Sequence, residues 1–230
     1  TMNTNSNTYT IVYASVMVII VAFLLAFVSS SLKDIQDENV ALDKKKQILS
    51  SLNVDLKDAD VSKLYSEIVL QEQLINSEGA VIAETGAFDI VSKVENAKPL
   101  AERQLPLYVC QINGETKYVL PVYGAGLWGP IWGYVSLNDD KATVYGAYFA
   151  HAGETPGLGA DIALPKFQNQ FPGKKISREG EFTSIAIVKP GKTDDTKDYV
   201  NGISGGTITS QGVDAMLLEG LGQYVNFLKQ

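Results

Sequence analysis

Ser204-Gly205-Gly206-Thr207-Ile208-Thr209-Ser210 is the stretch on which the reading of this chain turns. Two glycines lead into a cluster of hydroxyls, and a helical pattern follows. From Val213 the apolar side chains fall at Met216, Leu217, Leu221, Tyr224, Val225 and Leu228, the spacing of a helix with one buried face. The hydroxyls of Thr207, Thr209 and Ser210 are therefore expected just ahead of a helix N-terminus that begins around Thr209. Free backbone N–H groups and the positive end of the helix dipole point there, which suits a phosphate. Gly205 and Gly206 allow a bulky ligand close to the backbone. The same letters also describe an ordinary N-cap after a turn, so the local physics leaves both readings open.

Toward the N-terminus the period changes from helical to alternating. Residues 107–112 and 117–122 flank Asn113-Gly114, a strong hairpin signal. Residues 131–137 and 143–150 flank Asn138-Asp139-Asp140 and predict a second hairpin, and residues 182–188 predict a fifth strand. Before them, Val61, Leu64, Tyr65, Ile68, Leu74 and Ile75 predict one amphipathic helix ended by Asn76-Ser77-Glu78-Gly79. Residues 80–105 fit neither period. Helices first, strands in the middle and a helix at the end predict an α+β domain with an antiparallel sheet and flanking helices.

Charge is distributed unevenly along the 230 residues. The net charge is −7, with no basic stripe, which argues against nucleic acid as a partner. No charged side chain precedes Lys33, and residues 9–28 are almost wholly apolar. A membrane-spanning helix needs about 20 such residues. Tyr9 and Tyr13 stand where interfacial aromatics belong. A cleaved signal peptide would want a basic leader and a shorter apolar core, so a retained single span is expected. Residues 32–52 continue as a charged helical stem, followed by a polar break at 53–60. Lys44-Lys45-Lys46 would by themselves place the stem in the cytoplasm. The expected division is 1–32 for the tail and transmembrane anchor, 33–105 for the helical stem and connecting region, and 106–230 for the ligand-binding domain.

Some chemistry is disfavoured outright. The single cysteine, Cys110, cannot form an internal disulfide and reads as a small buried hydrophobe in a strand. One cysteine and one histidine cannot build a zinc or iron–sulfur site, so no metal is expected. Gly124-Ala125-Gly126-Leu127-Trp128-Gly129 has the letters of a dinucleotide fingerprint. That fingerprint must open a helix, whereas Pro130 and a strand pattern follow here. The glycines instead predict a tight crossing between strands. Thr207 lacks the partners of a hydrolytic nucleophile, and no catalytic residue is assigned.

The opening stretch resembles the flavinylation motif Ser-Gly-Ala-Thr-x-Thr of the FMN-binding domain family, with Gly206 in place of the usual alanine. His151-Ala152-Gly153-Glu154-Thr155-Pro156-Gly157-Leu158-Gly159 resembles the same family's Glu-Thr-Pro-Gly-Leu-Gly loop. With Gly126-Leu127-Trp128 and the anchor, the chain is similar to the flavin-carrying C subunits of Na+-translocating NADH:quinone reductases. The resemblance implies FMN joined to Thr207 by a phosphoester, with Ser204, Gly205, Gly206, Ile208 and Thr209 around it. It implies a bacterial inner-membrane protein with its flavin domain on the periplasmic side, against the lysine run, since long domains translocate largely regardless of charge. It further implies an electron carrier whose partners are the other membrane subunits, membrane lipid and, during maturation, a flavin transferase. NADH and quinone would bind elsewhere in the complex.

Site chemistry extends that list. Glu154 and Thr155 are candidates to hydrogen-bond ring or ribityl oxygens, and Leu158 and Gly159 to lie against the ring. Leu127 and Trp128 are candidate pocket walls, Trp128 being equally readable as a core tryptophan. Lys189, before Pro190-Gly191, is a candidate for the phosphate or an anionic ring, or else a solvated lysine. His151 reads as a loop residue packed beside the motif. The G subunit of the related Rnf electron-transport complex shares both motifs and the anchor. In the bland alternative, a tethered non-redox binding module, residues 204–210 merely cap a helix.

Overall fold

The computed structural model describes residues 6–230. Residues 1–5 of the expected tail lie outside the described residues. The chain divides into two compact units, Thr1–Lys44 and Lys45–Gln230.

Helix α1, Asn7–Ser51, begins in the first unit and ends in the second. It holds no glycine or proline that would break it. It is long and apolar enough to cross a membrane, with a mean hydropathy of 2.9 over its most apolar 18 residues, none of them buried. The rings of Tyr9 and Tyr13 stack one turn apart at 6.1 Å. The first charged residue, Lys33, pairs across one turn with Asp37 at 2.8 Å.

In the second unit α2, Val61–Ile68, is capped by Asp60, whose side chain accepts from Lys63 N. Six strands follow: β1 Val69–Ile75, β2 Val81–Ala83, β3 Leu105–Ile112, β4 Glu115–Ala125, β5 Pro130–Leu137 and β6 Val144–His151. They form one antiparallel sheet in the order β2-β1-β3-β4-β5-β6. Asn113 and Gly114 both take positive φ (52° and 85°), the primed turn that fits the twist of a hairpin. The short helix α3, Ser92–Asn96, fills part of the stretch without a clear period. After β6 come α4, Pro165–Gln168, and two small ribbons, β7 Ser177–Arg178 with β8 Glu181–Phe182, and β9 Ala186–Val188 with β10 Tyr199–Asn201. Helices α5, Thr207–Gly222, and α6, Val225–Leu228, close the chain.

Alternation along the strands gives the sheet two buried faces. Leu107, Leu120, Val122, Ile131, Val135 and Phe149 meet Val213, Met216, Leu217 and Leu221 of α5. Phe149, Phe167 and Phe171 extend this core, with ring centroids 5.0–5.9 Å apart. Tyr108, Cys110, Val119 and Tyr134 alternate with those strand residues and are buried on the opposite face. The end of α1 is pinned to the sheet: Trp132 Nε1 donates to Gln47 Oε1 at 3.0 Å, and Ser136 Oγ donates to the Ser51 carbonyl at 2.5 Å. Gly146 makes this possible, since a Cβ there would lie 2.3 Å from the Ser51 carbonyl oxygen.

Several sequence expectations change. Leu74 and Ile75 do not extend the helix of Val61–Ile68; they lie on β1, which pairs with β3 from Leu74↔Pro106 to Ile75↔Leu105. Pairing along β3 outweighs the helix propensity of the intervening Gln and Glu residues. Residues 182–188 are two strands in two ribbons, because Ser184 takes φ 61° between them. Val225 and Leu228 belong to α6, not to the preceding helix. The glycine-rich crossing is the β4–β5 hairpin loop, closed by Gly126 N donating to Gly129 O at 2.8 Å. The boundary expected at 105/106 falls inside one compact unit, since β1 and β2 share a sheet with the strands that follow.

Candidate functional site

Helix α5 starts at Thr207, two residues earlier than its apolar stripe suggests. Gly206 occupies the N-cap and offers no side chain to the first turn, so nothing in the sequence flags the cap. The first internal bond runs from Ser210 N to Gly206 O at 2.9 Å. The amides before it are free of helical partners.

The three hydroxyls of the opening stretch have different fates. Thr209, 1% exposed, donates to Glu154 Oε2 at 2.6 Å. Ser210 Oγ is buried and accepts from Ile203 N at 2.9 Å. Thr207, at the first helical position, is exposed and has no side-chain hydrogen bond among the described residues. It lines a cavity of about 290 Å³ together with Lys189, Pro190, Gly202, Ser204, Gly205 and Gln211. A second cavity of about 460 Å³ shares Pro190, Gly202, Ile203 and Ser204 and adds Gly157, Asp161 and Lys166. These features fit a phosphate ester: a free hydroxyl, free amides at a helix N-terminus, one lysine, and a cavity beside them.

Residues 154–159 lie against the same segment. Glu154 is 5% exposed, and its two oxygens serve two neighbours: Oε1 accepts from Trp128 N at 2.8 Å and Oε2 from Thr209. A Cβ on Gly126 would stand 2.5 Å from Oε1, and one on Gly159 would stand 2.4 Å from Oε2. Both positions need glycine for close approach. Glu154 N donates to His151 Nδ1 at 3.2 Å, so the histidine sits beside the motif, at the end of β6. The Thr155 carbonyl accepts from Leu158 N and Ala160 N, each at 3.1 Å, and closes the loop. Gly205 takes φ 76° under Leu158, whose Cδ2 would be 2.7 Å from any Cβ there.

The sequence-derived candidates therefore fall into two groups. Ser204, Gly205, Thr207 and Lys189 line one cavity. Glu154, Gly159, Gly206 and Thr209 form a buried bracket behind it. Glu154 thus faces inward, toward protein donors, rather than toward either cavity. Leu127, Trp128, Leu158 and Ile208 are 49%, 69%, 42% and 54% exposed, so Trp128 is not a core tryptophan. The cavity wall from Ile187, Val188, Gly202 and Ile203 was not among the candidates. It depends on the parallel pairing of β9 with β10 and on Asp214 accepting from Ile187 N at 2.8 Å, long-range facts that no local string carries. Among the described residues no group of three or more His, Cys, Asp or Glu is placed to hold a metal.

This arrangement matches the FMN-binding domain family over residues 126–222, the span from the β4–β5 loop to the end of α5. Relatives extend the similarity to most of the chain. The C subunit of the Na(+)-translocating NADH-quinone reductase of Haemophilus ducreyi is 30% identical over 228 residues, covering 92% of this chain and 88% of that protein. Its counterpart from Pasteurella multocida is 32% identical, covering 84% and 81%. The crystal structure of the corresponding C subunit from Parabacteroides distasonis superposes with a TM-score of 0.82 at 47% identity, covering 86% of this chain and 98% of that one. The chain belongs to the family of Na(+)-translocating NADH-quinone reductase C subunits.

Proposed function

We propose that this chain is the electron-carrier subunit of a membrane-bound Na+-translocating NADH:quinone reductase and holds FMN through a phosphoester to Thr207 Oγ1. The observation that carries the reading is the contrast among three neighbouring hydroxyls. Thr209 and Ser210 are buried in internal hydrogen bonds, while Thr207 stands free at the mouth of a cavity. When bound, FMN supplies one-electron exchange with redox centres of neighbouring subunits.

The chain's own part is to bind and orient. Free amides of the first turn of α5 face an anion at Thr207, where the dipole favours negative charge. Lys189 adds a cation on the same cavity. Gly205, at positive φ, keeps that wall low enough for Leu158 to pass over it. Exposed Leu127, Trp128, Leu158 and Ile208 offer apolar surface that would exclude water from a flat aromatic ligand. Carrying electrons requires no acid–base pair on this chain, and none is assigned.

The remaining parts of the reading follow from the same assignment. Residues 9–28 of α1 span the bacterial inner membrane and contact lipid, the flavin domain lies on the periplasmic side, and a flavin transferase attaches the cofactor. NADH and quinone are handled by other subunits. Reductive titration of the purified flavoprotein tests the carrier role. Dithionite should bleach the visible flavin bands, whereas NADH alone should reduce them slowly or not at all. Fast direct reduction by NADH would contradict it.

A further inference from the structure

Glu154 lies in neither cavity lining, although its segment is one of the two strings that mark the family. Its carboxylate is buried and, among the described residues, forms no ion pair. It joins three separate pieces of chain: the β4–β5 loop through Trp128 N, its own loop after β6, and the first turn of α5 through Thr209 Oγ1. The hydroxyl it engages is two residues from Thr207. Gly126 and Gly159 leave no room for a Cβ beside its oxygens, so those segments close tightly around it. A buried carboxylate with two charge-assisted hydrogen bonds is a strong local constraint, and its removal leaves both donors unsatisfied. Gly206, the N-cap, offers no side chain of its own, so the α5 start lacks its usual local fastening.

We propose that Glu154 is a positioning residue for flavin attachment: it fastens the first turn of α5 so that Thr207 presents its hydroxyl in one fixed orientation. The proposal rests on Thr207 being the attachment site. In that attachment Thr207 Oγ1 forms a bond to phosphorus and gives up its proton, while the phosphoanhydride bond of an activated FMN donor breaks and its other half departs as a phosphate that keeps the electron pair and takes up that proton. No group is oxidised or reduced. Glu154 touches none of these atoms. Its contribution is orientation, to which displacements of a reacting oxygen are very sensitive.

The geometry separates the carboxylate's shape from its charge. Glutamine at position 154 can accept from Trp128 N and donate to Thr209 Oγ1, keeping the bracket without the charge. Alanine removes both contacts, and Thr209→Val removes one donor at nearly constant shape.

The test uses the full chain in detergent, produced with and without a flavin transferase. Amide exchange of the 203–211 segment is measured in the FMN-free protein, and the initial rate of FMN mass gain on the Thr207 peptide in the other. For folded Glu154→Ala and for Thr209→Val, segment exchange should rise and attachment should fall, each roughly tenfold. Glu154→Gln should recover both to within about threefold of the unaltered chain. The double variant should be no worse than the poorer single by more than about twofold, because both variants lose the shared Glu154–Thr209 contact and it can be lost only once. Parent-like exchange and attachment in Thr209→Val would overturn the proposal, even if Glu154→Ala fails to fold. Thr207→Ala distinguishes the underlying reading: covalent FMN surviving there overturns Thr207 as the site, whatever Glu154 does.

Discussion

Helices α1 and α5 are both rich in apolar side chains, and the fold treats them in opposite ways. Along residues 11–32 of α1 the large apolar side chains point outward on every side, with Phe23 and Leu25 69% and 66% exposed. In α5 the apolar residues form a stripe: Val213, Met216, Leu217 and Leu221 are buried against the sheet, while Thr207, Ile208 and Leu218 face outward. An all-round apolar helix has no polar face to offer water, so its proper solvent is lipid, where its backbone bonds are already satisfied internally. A striped helix is located by what it packs on. Anchoring asks only for length and apolarity; presenting one hydroxyl to a cavity asks for a fixed helix start, which the sheet, Glu154 and the glycines around it supply.

Removal of residues 1–32 should break the comparison most visibly. The full chain should sediment with membranes, and residues 33–230 should remain in the soluble fraction without detergent. Continued partitioning of the shortened chain into bilayers would mean that apolar surface elsewhere does the anchoring. Next in size is Leu217→Ala. Leu217 is fully buried between α5 and the sheet, and truncation there should cost about 2–5 kcal/mol in a denaturant melt of the domain. Leu25→Ala, on the exposed apolar stretch of α1, should leave that melt unchanged within about 0.5 kcal/mol. Equal effects would erase the distinction between the two helices.

The smallest effect concerns the face of the sheet away from α5. Burial pushes the Cys110 thiol up to about 12 from an ordinary 9.0. A raised value means that the folded chain keeps its proton where the unfolded chain loses it. Stability from this group is therefore constant below pH 9 and declines as pH rises from 9 toward 12. The loss should be about 1 kcal/mol at pH 10. Cys110→Ala should remove that part of the slope of stability against pH, while the phenols of Tyr65, Tyr108 and Tyr224, likewise raised by burial, keep their own share as pH rises past 10. In the native chain the thiol should resist alkylation at pH 8.

Legibility followed the range of the forces involved. Asn113-Gly114 announced its hairpin because a primed turn demands positive φ at two successive residues. The stripe from Val213 to Leu221 announces α5, and two short strings announce the FMN-binding domain family. The β1 strand stayed hidden, since only its pairing with β3 makes Leu74 and Ile75 extended. The start of α5 at Thr207 is not legible locally, because a glycine cap leaves no polar letter to read. The sequence offers Glu154 to a ligand, and its inward turn depends on Trp128 and Thr209, 26 and 55 residues away. Trp128 reads equally as core or pocket wall from the sequence, and the hairpin loop holds it out in solvent.

On the proposed assignment, one of three neighbouring hydroxyls carries the flavin because it alone is free. Peptide mass mapping of chain co-produced with a flavin transferase tests this directly, on the unaltered protein and on Thr207→Ala, Thr209→Ala and Ser210→Ala. One FMN mass is expected on the peptide containing Thr207, lost completely in Thr207→Ala and still located at residue 207 in the other two. Covalent FMN that persists in Thr207→Ala, on Thr209 or Ser210, would contradict it.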